Sequence, residues 1–228
     1  MSTPHLVRFA RFQPDDDREV AELRRQRVLC GWGEESVDSW REQVRRGVKN
    51  LYWIFPTDEA AYGPLPDEEP LSLDPTKTGP TAPDATFRPL GHVSMDWEDY
   101  AGDESLCDRE KGIITLATFF ILKSQQGKRL GSVVMKEMEA LAAGPELNAT
   151  VITLNTVDSE FAAKPEFWTR QGLPVPAADA RVNESWYARL GYTVYKRGIP
   201  RYPAVDVNDG SEWKMQAVFM RKEIAPTK

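Results

Sequence analysis

The chain predicts a mixed α/β (α+β) fold, a single domain with one central sheet flanked by helices. Three observations carry this. Residues Ile113-Ile114-Thr115-Leu116-Ala117-Thr118-Phe119-Phe120-Ile121-Leu122 are near-continuously apolar, as a central strand buried on both faces must be. A polar turn follows, then Leu130, Val134, Met138 and Leu141 at helical spacing, then a second buried strand, Val151-Ile152-Thr153-Leu154. The length of 228 residues, 41% hydrophobic and 28% charged, suits one globular domain with room for a large insertion.

The elements can be justified in order. Leu6 to Phe12 alternates and reads as a first strand. Pro14 and the acids Asp15, Asp16 and Asp17 suit the positive end of a helix that stops at Gly31. A second helix starts near Ser36, puts Val37, Trp40 and Val44 on one face, and stops at Gly47. Leu51 to Phe55 is an apolar, aromatic strand, and Leu90 to Asp96 another. After Val151 to Leu154, a short helix is expected around Phe167-Trp168, then a helix from Asn183 to Leu190 closed by Gly191. Tyr192 to Tyr195 and Trp213 to Met220 finish as strands. The front half is therefore antiparallel, with crossovers in the centre.

Two segments interrupt this order. Residues 56–89 hold eight of the 17 prolines (Pro56, Pro64, Pro66, Pro70, Pro75, Pro80, Pro83, Pro89) and many acids, among them Glu59, Asp67, Glu68 and Glu69. Proline denies donors to a ladder, so this is a long surface loop. It reads either as a passive insertion or as an acidic lid over a cationic substrate. A second insertion, 158–182, carries Pro165, Pro174 and Pro176.

Composition removes several functions. The net charge is −6, which disfavours nucleic acid and acidic membranes as partners. No apolar run reaches the roughly 20 residues needed to cross a bilayer. The start Met1-Ser2-Thr3-Pro4-His5 has no secretion signal, so a cytoplasmic protein is expected, with a nuclear one allowed for. Two cysteines, Cys30 and Cys107, and two histidines, His5 and His92, lie too far apart for a disulfide framework or a zinc site, and no G-x-S-x-G elbow is present. No metal is expected.

The chemistry is concentrated in Phe119 to Ser132: a buried strand, a turn with two glycines, and a helix start. Helix N-termini leave amides unpaired and carry about half a positive charge, which favours anions. From Lys111 to Lys136 the chain holds five basic residues (Lys111, Lys123, Lys128, Arg129, Lys136) and no acid. In an acidic protein, that local reversal points to a bound anion. The turn is neither a Walker A nor a Rossmann fingerprint.

Gln126-Gly127-Lys128-Arg129-Leu130-Gly131 resembles the pyrophosphate loop of the GNAT superfamily, the GCN5-related N-acetyltransferases: Arg or Gln, two residues, Gly, one residue, Gly or Ala. Gln126 and Gly131 fill the outer positions, and Arg129 replaces the first glycine. If that position demands positive φ, arginine is strained there. In helical geometry it would simply add a charge near a phosphate. Trp186-Tyr187-Ala188-Arg189-Leu190-Gly191-Tyr192 resembles the superfamily's later helix, an aromatic pair followed by Gly-Tyr. With Asn183-Glu184 before it and a proline-rich insertion, the wording is similar to that of fungal members.

The resemblance implies a mixed sheet splayed between two parallel strands, those ending at Leu122 and near Asn155, with acetyl-CoA as cosubstrate in the gap. Phe119, Phe120 and Ile121 would pair their backbone with the pantetheine arm and polarise the thioester. The amides of Gly127, Lys128, Arg129, Leu130, Gly131 and Ser132, with Gln126, would hold the pyrophosphate. Asn155 and Asn183 would meet the pantetheine amides, although Asn183 also reads as a helix N-cap. An amine would attack directly. Tyr187, protonated at neutral pH, is the expected acid toward the departing sulfur, or else a core aromatic. Asp96 and Glu98, with Asp99 nearby, are the expected base region, or else a solvated acidic turn. His92 reads as a base or as a structural histidine. Trp168, Trp186 and Tyr195 line the acceptor pocket or belong to the core. The implied activity is N-acetylation of a small amine, polyamine or lysine-bearing peptide, by a monomer or homodimer. Two alternatives stand beside it: a non-catalytic acyl-CoA-binding module, and a nucleotide-binding protein using the same turn.

Overall fold

In the computed structural model, residues 7–58, 65–66, 68–74, 76–176 and 183–225 are described. His5, Leu6, Glu59, Pro64, Asp67, Pro75 and the end of the second insertion, 177–182, lie outside them. The elements are β1 (Val7–Arg11), α1 (Asp17–Cys30), α2 (Val37–Arg45), β2 (Lys49–Pro56), β3 (Gly91–Asp96), β4 (Ile113–Ile121), α3 (Leu130–Ala143), β5 (Val151–Val157), α4 (Ser159–Ala162), α5 (Pro165–Thr169), α6 (Asn183–Arg189), β6 (Thr193–Val205) and β7 (Glu212–Glu223). The acids before α1 work as expected: Asp16 accepts from the amides of Arg18 and Glu19, and Gly31 closes the helix at φ 84°.

The strands form one sheet in the order β1-β2-β3-β4-β5-β7-β6. Neighbours are antiparallel except β4 and β5, which are parallel across the α3 crossover. That parallel pair is joined only from Ile113↔Val151 to Leu116↔Leu154. Beyond it β4 continues to Ile121 and β5 to Val157 with a gap between them. A bulge marks the parting. The β3–β4 register slips between His92 and Ser94, where Thr118 takes φ 48°. An extra residue bends a strand away from its neighbour. The expected splayed pair is present.

Each face of the sheet has its own core. On one, Met95, Ile114, Leu116 and Ile121 pack against Leu130, Val134 and Met138 of α3, and Tyr187 of α6 joins them. On the other, Leu51 and Trp53 pack against Val20, Leu23 and Trp40 of α1 and α2.

Three elements differ from expectation. The β6 strand runs for 13 residues rather than four, through Gly198, Pro200 and Pro203. Those residues argue against a strand, but β6 is the sheet's edge, and its pairing with β7 slips register three times. Edges and bulges are where proline is tolerated. The β5 strand extends past Leu154 because β7 pairs with it as far as Val157. Helix α4, not expected, starts where Asp158 caps the amides of Glu160 and Phe161. Among the described residues, no helix is long and apolar enough to cross a membrane, and no group of side chains could hold a metal ion.

Candidate functional site

A cleft of about 680 Å³ opens where β4 leaves β5. Its floor is Phe119, Phe120 and Ile121. One wall is Gln126, Gly127, Arg129, Leu130, Gly131 and Ser132 with Asn183, Trp186, Tyr187 and Arg189 of α6. The strand separates two environments: Ile121 and Phe119 belong with the α3 side, whereas Phe120 packs with Leu29 and Leu122 on the α1 side.

The first wall has the features of an anion site. Ser132 and Val133 donate to the Arg129 carbonyl, which leaves the amides at the very start of α3 without an intrahelical acceptor. Gly127 has φ 79°, and a Cβ there would meet nothing within 4 Å, so the turn is open to an approaching ligand. Arg129 occupies the left-handed region at φ 63°, ψ 6°. The position therefore demands the conformation glycine supplies freely, and arginine adopts it at a cost of about 1–2 kcal/mol. Gln126 turns back to donate to Ile121 O at 2.9 Å. The Lys128 ammonium donates to Gln125 Oε1 at 3.0 Å, and Lys128 does not line the cleft. At Gly131 an added Cβ would stand 3.1 Å from the Trp186 ring, and Trp186 stacks on Phe119 with centroids 6.1 Å apart.

Tyr187 lines the cleft and is 9% exposed. Burial alone raises its phenol well above the ordinary value, so it is protonated at neutral pH. Asn155 stands just past the point where β5 parts from β4, outside the lining residues. Its Oδ1 accepts from Arg201 Nε at 3.0 Å and from the Tyr202 hydroxyl at 2.5 Å. Those bonds orient its amide group. Asn183 is exposed at the first residue of α6.

The acids of the expected base region do not line the cleft. Asp96 is buried and bonded to the Lys49 ammonium at 2.6 Å. Burial pushes its carboxyl up, against the pull of Lys49. Lys49 also donates to Ser94, whose hydroxyl is 2.8 Å from that of Thr118, so hydrogen bonds connect Asp96 to the bulge. Glu98 is at the surface, paired with Arg46 at 2.6 Å. Asp99 is buried against Arg201. His92 is fully buried, with Nδ1 2.7 Å from Gln26 Oε1 and Nε2 3.3 Å from Arg27. Since Arg27 can only donate, Nε2 accepts and the ring is neutral. Burial, then Arg27 and Lys49, hold its pKa well below the usual value. Trp168 donates to Ala162 O at 2.7 Å and Tyr195 to Ser105 O at 2.8 Å, both in cores away from the cleft.

The opposite wall carried no motif. It consists of Cys30 at the end of α1, Trp32 just after it, and Ser72 and Leu73 from the 56–89 segment. Arg189 also lines the cleft, and the sequence signals it only by its place one turn beyond Trp186.

No family model and no curated protein matches the sequence. Solved structures do match. An aminoglycoside 6'-N-acetyltransferase complexed with coenzyme A is 13% identical with TM-score 0.51, over 97% of this chain and 99% of that one. Spermidine N-acetyltransferase from Vibrio cholerae, in complex with CoA and spermine, is 8% identical with TM-score 0.53, over 97% of both chains. A candidate acetyltransferase of the GNAT family from Desulfovibrio desulfuricans is 12% identical with TM-score 0.52, over 96% of this chain and 99% of that one. The chain has the fold of the GNAT acetyltransferases: seven strands, one parallel pair, and a wedge between its members.

Proposed function

We propose that the protein is an acetyl-CoA-dependent N-acetyltransferase that passes the acetyl group directly to a primary amine. One observation carries the reading. The wedge between β4 and β5 opens beside a turn that offers free amides and basic side chains, and its lining contains no carboxylate among the described residues. The structural neighbours that hold CoA support it. Acetyl-CoA would supply the activated acyl thioester. The start of α3, with Gly127 and Arg129, would hold the pyrophosphate. The backbone of Phe119 to Ile121 would take the pantetheine arm as a strand edge takes a peptide. In the transfer, a nitrogen–carbon bond forms and the carbon–sulfur bond breaks. The amine gives up one proton to water, and Tyr187 gives one to the departing sulfur and is reprotonated from solvent. Cys30 and Cys107 are free thiols, which suits action in the reducing cytoplasm.

Calorimetry with acetyl-CoA, followed by a thiol-release assay over an amine panel, tests this. Saturable binding and amine-dependent release are expected. Binding without release on any amine would make the protein an acyl-CoA-binding module. Preference for ATP over CoA would make it a nucleotide-binding protein.

A further inference from the structure

The second wall of the cleft narrows the acceptor. Although they belong to the proline-rich segment, residues 68–74 and 76–79 are docked rather than loose. Glu69 is buried, and its two carboxylate oxygens accept from the Ser124 amide at 2.7 Å and the Ser124 hydroxyl at 2.9 Å. Its carbonyl accepts from Gly79, and Ser72 donates to Leu29 O at 2.8 Å. Leu71 joins Leu29, Phe120 and Leu122 in one cluster. Leu73 lies over Gly31, where even a Cβ would come within 2.6 Å of it. These residues are thereby strapped to the turn that leads into the pyrophosphate loop, and they present Leu73 to the cleft with Trp32.

Apart from Ser72 this wall is apolar, and among the described residues it carries no acid. Trp32 and Leu73 are 37% and 41% exposed in a concave site, a place where large apolar surfaces mark a ligand. A cation stands behind it: Arg27 Nε donates to Trp32 O at 2.6 Å. Arg129 and Arg189 stand across the cleft. The acids next in sequence, Glu34, Glu35 and Asp74, are outside the lining, and Asp74 is paired with Lys77 at 3.2 Å. Among the described residues, the lining offers a polyamine's ammonium groups no carboxylate. The proton inventory agrees. An alkylammonium has a pKa near that of lysine, about 10.4, and must be deprotonated before attack. Yet Asp96, Asp99 and Glu98 are each held by a cation outside the lining, and His92 is sealed between Gln26 and Arg27.

We infer that the acceptor is a weakly basic amine on a flat apolar body, of the arylamine type, seated on Trp32 and Leu73. This rests on the N-acetyltransferase reading and gives the site a substrate class. Such a nitrogen is neutral at pH 7 and needs no protein base to attack the thioester. It loses its proton to water as the nitrogen–carbon bond forms and the carbon–sulfur bond breaks.

The test uses the full chain. Thiol release at saturating acetyl-CoA is measured with 4-methoxyaniline, phenylethylamine and spermidine, after calorimetry has established acetyl-CoA binding. The expected order of kcat/KM is that order, with about tenfold or more between first and last. From about pH 7 to about pH 9 the profile should be flat for the arylamine and rising for phenylethylamine. Leu73→Asp and Trp32→Ala should each raise KM for the arylamine about tenfold while the acetyl-CoA Kd stays within about twofold. If spermidine proves the better acceptor, the inference falls and the acetyltransferase reading stands. If either variant instead weakens acetyl-CoA about tenfold, the wall holds the cofactor's adenine and the inference falls. If acetyl-CoA does not bind the unaltered protein, both fall.

Discussion

The two walls of the cleft are assembled in opposite ways. The anion-binding part of the α3 wall is one continuous turn: strand, bend and helix start follow each other from Phe119 to Ser132, and the backbone itself presents the hydrogen-bond donors. The α1 wall comes from Cys30, Trp32, Ser72 and Leu73, brought together by the Glu69–Ser124 bonds, the Ser72–Leu29 bond and the entry of Leu71 into the cluster with Leu29. The first wall supplies polar donors and positive charge, the second apolar surface. Recognition of a phosphate needs little more than local backbone geometry. Selection of an acceptor needs side chains from distant parts of the chain. Variants on each side should therefore separate cofactor binding from the chemistry and from stability.

The largest effect is expected at Tyr187, which lines the cleft from α6. Replacement by Phe should lower kcat by up to about 10²-fold, the usual scale for a general acid, without weakening acetyl-CoA. Single-turnover rates and calorimetry check the two halves. An unchanged chemical step would leave Tyr187 as a packing residue only. Gly131→Asp comes next. It places a carboxylate at the start of α3 and a Cβ 3.1 Å from Trp186. Acetyl-CoA affinity should fall about tenfold or more. Gly131→Ala separates the terms, since it keeps the contact with Trp186 and omits the charge. Equal affinity in the Asp variant would remove the anion assignment from this turn.

The same contrast explains what was legible in the sequence. The strand from Ile113 and the turn after it could be read because their signals are local: apolar continuity, glycines and a run of basic residues. Arg129 illustrates the limit. Its replacement of glycine was visible, but only the backbone shows that the position requires φ 63°. The partner of Asp96 was hidden because Lys49 reaches it across the β2–β3 pairing, 47 residues away in sequence. Arg201 reaches Asp99 and Asn155 from an edge strand whose prolines concealed it. The Trp32–Leu73 wall depends on a buried glutamate inside a segment whose composition suggested solvent.

His92 offers a smaller, purely thermodynamic test on the far face of β3. The folded ring is neutral with a depressed pKa, whereas the unfolded one titrates near 6.5. Above that pH both states bind no proton there, and the stabilisation is complete. As pH falls below about 6.5 the unfolded chain takes up a proton the folded chain refuses, so stability declines until the folded pKa is reached. Urea denaturation between about pH 7 and about pH 5 should show this loss, reduced in His92→Gln. A variant with the same pH slope as the parent would mean that His92 does not titrate differently on unfolding.

Arg129→Gly should produce the smallest change, and its two parts have opposite signs. Glycine enters the left-handed region without a Cβ penalty, which favours the folded state by about 1–2 kcal/mol, less about 0.5–1 kcal/mol for the greater freedom of the unfolded chain. The net is a gain of up to about 1.5 kcal/mol, read as a higher denaturation midpoint at constant m. The same change removes a guanidinium from the lip of the cleft. Acetyl-CoA affinity should fall by less than about tenfold at low salt, and the loss should shrink as ionic strength rises, because an exposed charge is screened within about 8–10 Å. A more stable protein with weaker, less salt-sensitive cofactor binding would assign Arg129 to the anion and explain why a strained residue is kept at that turn. If stability rises and affinity does not move, the strain has no counterpart in binding, and the backbone amides alone define the phosphate wall.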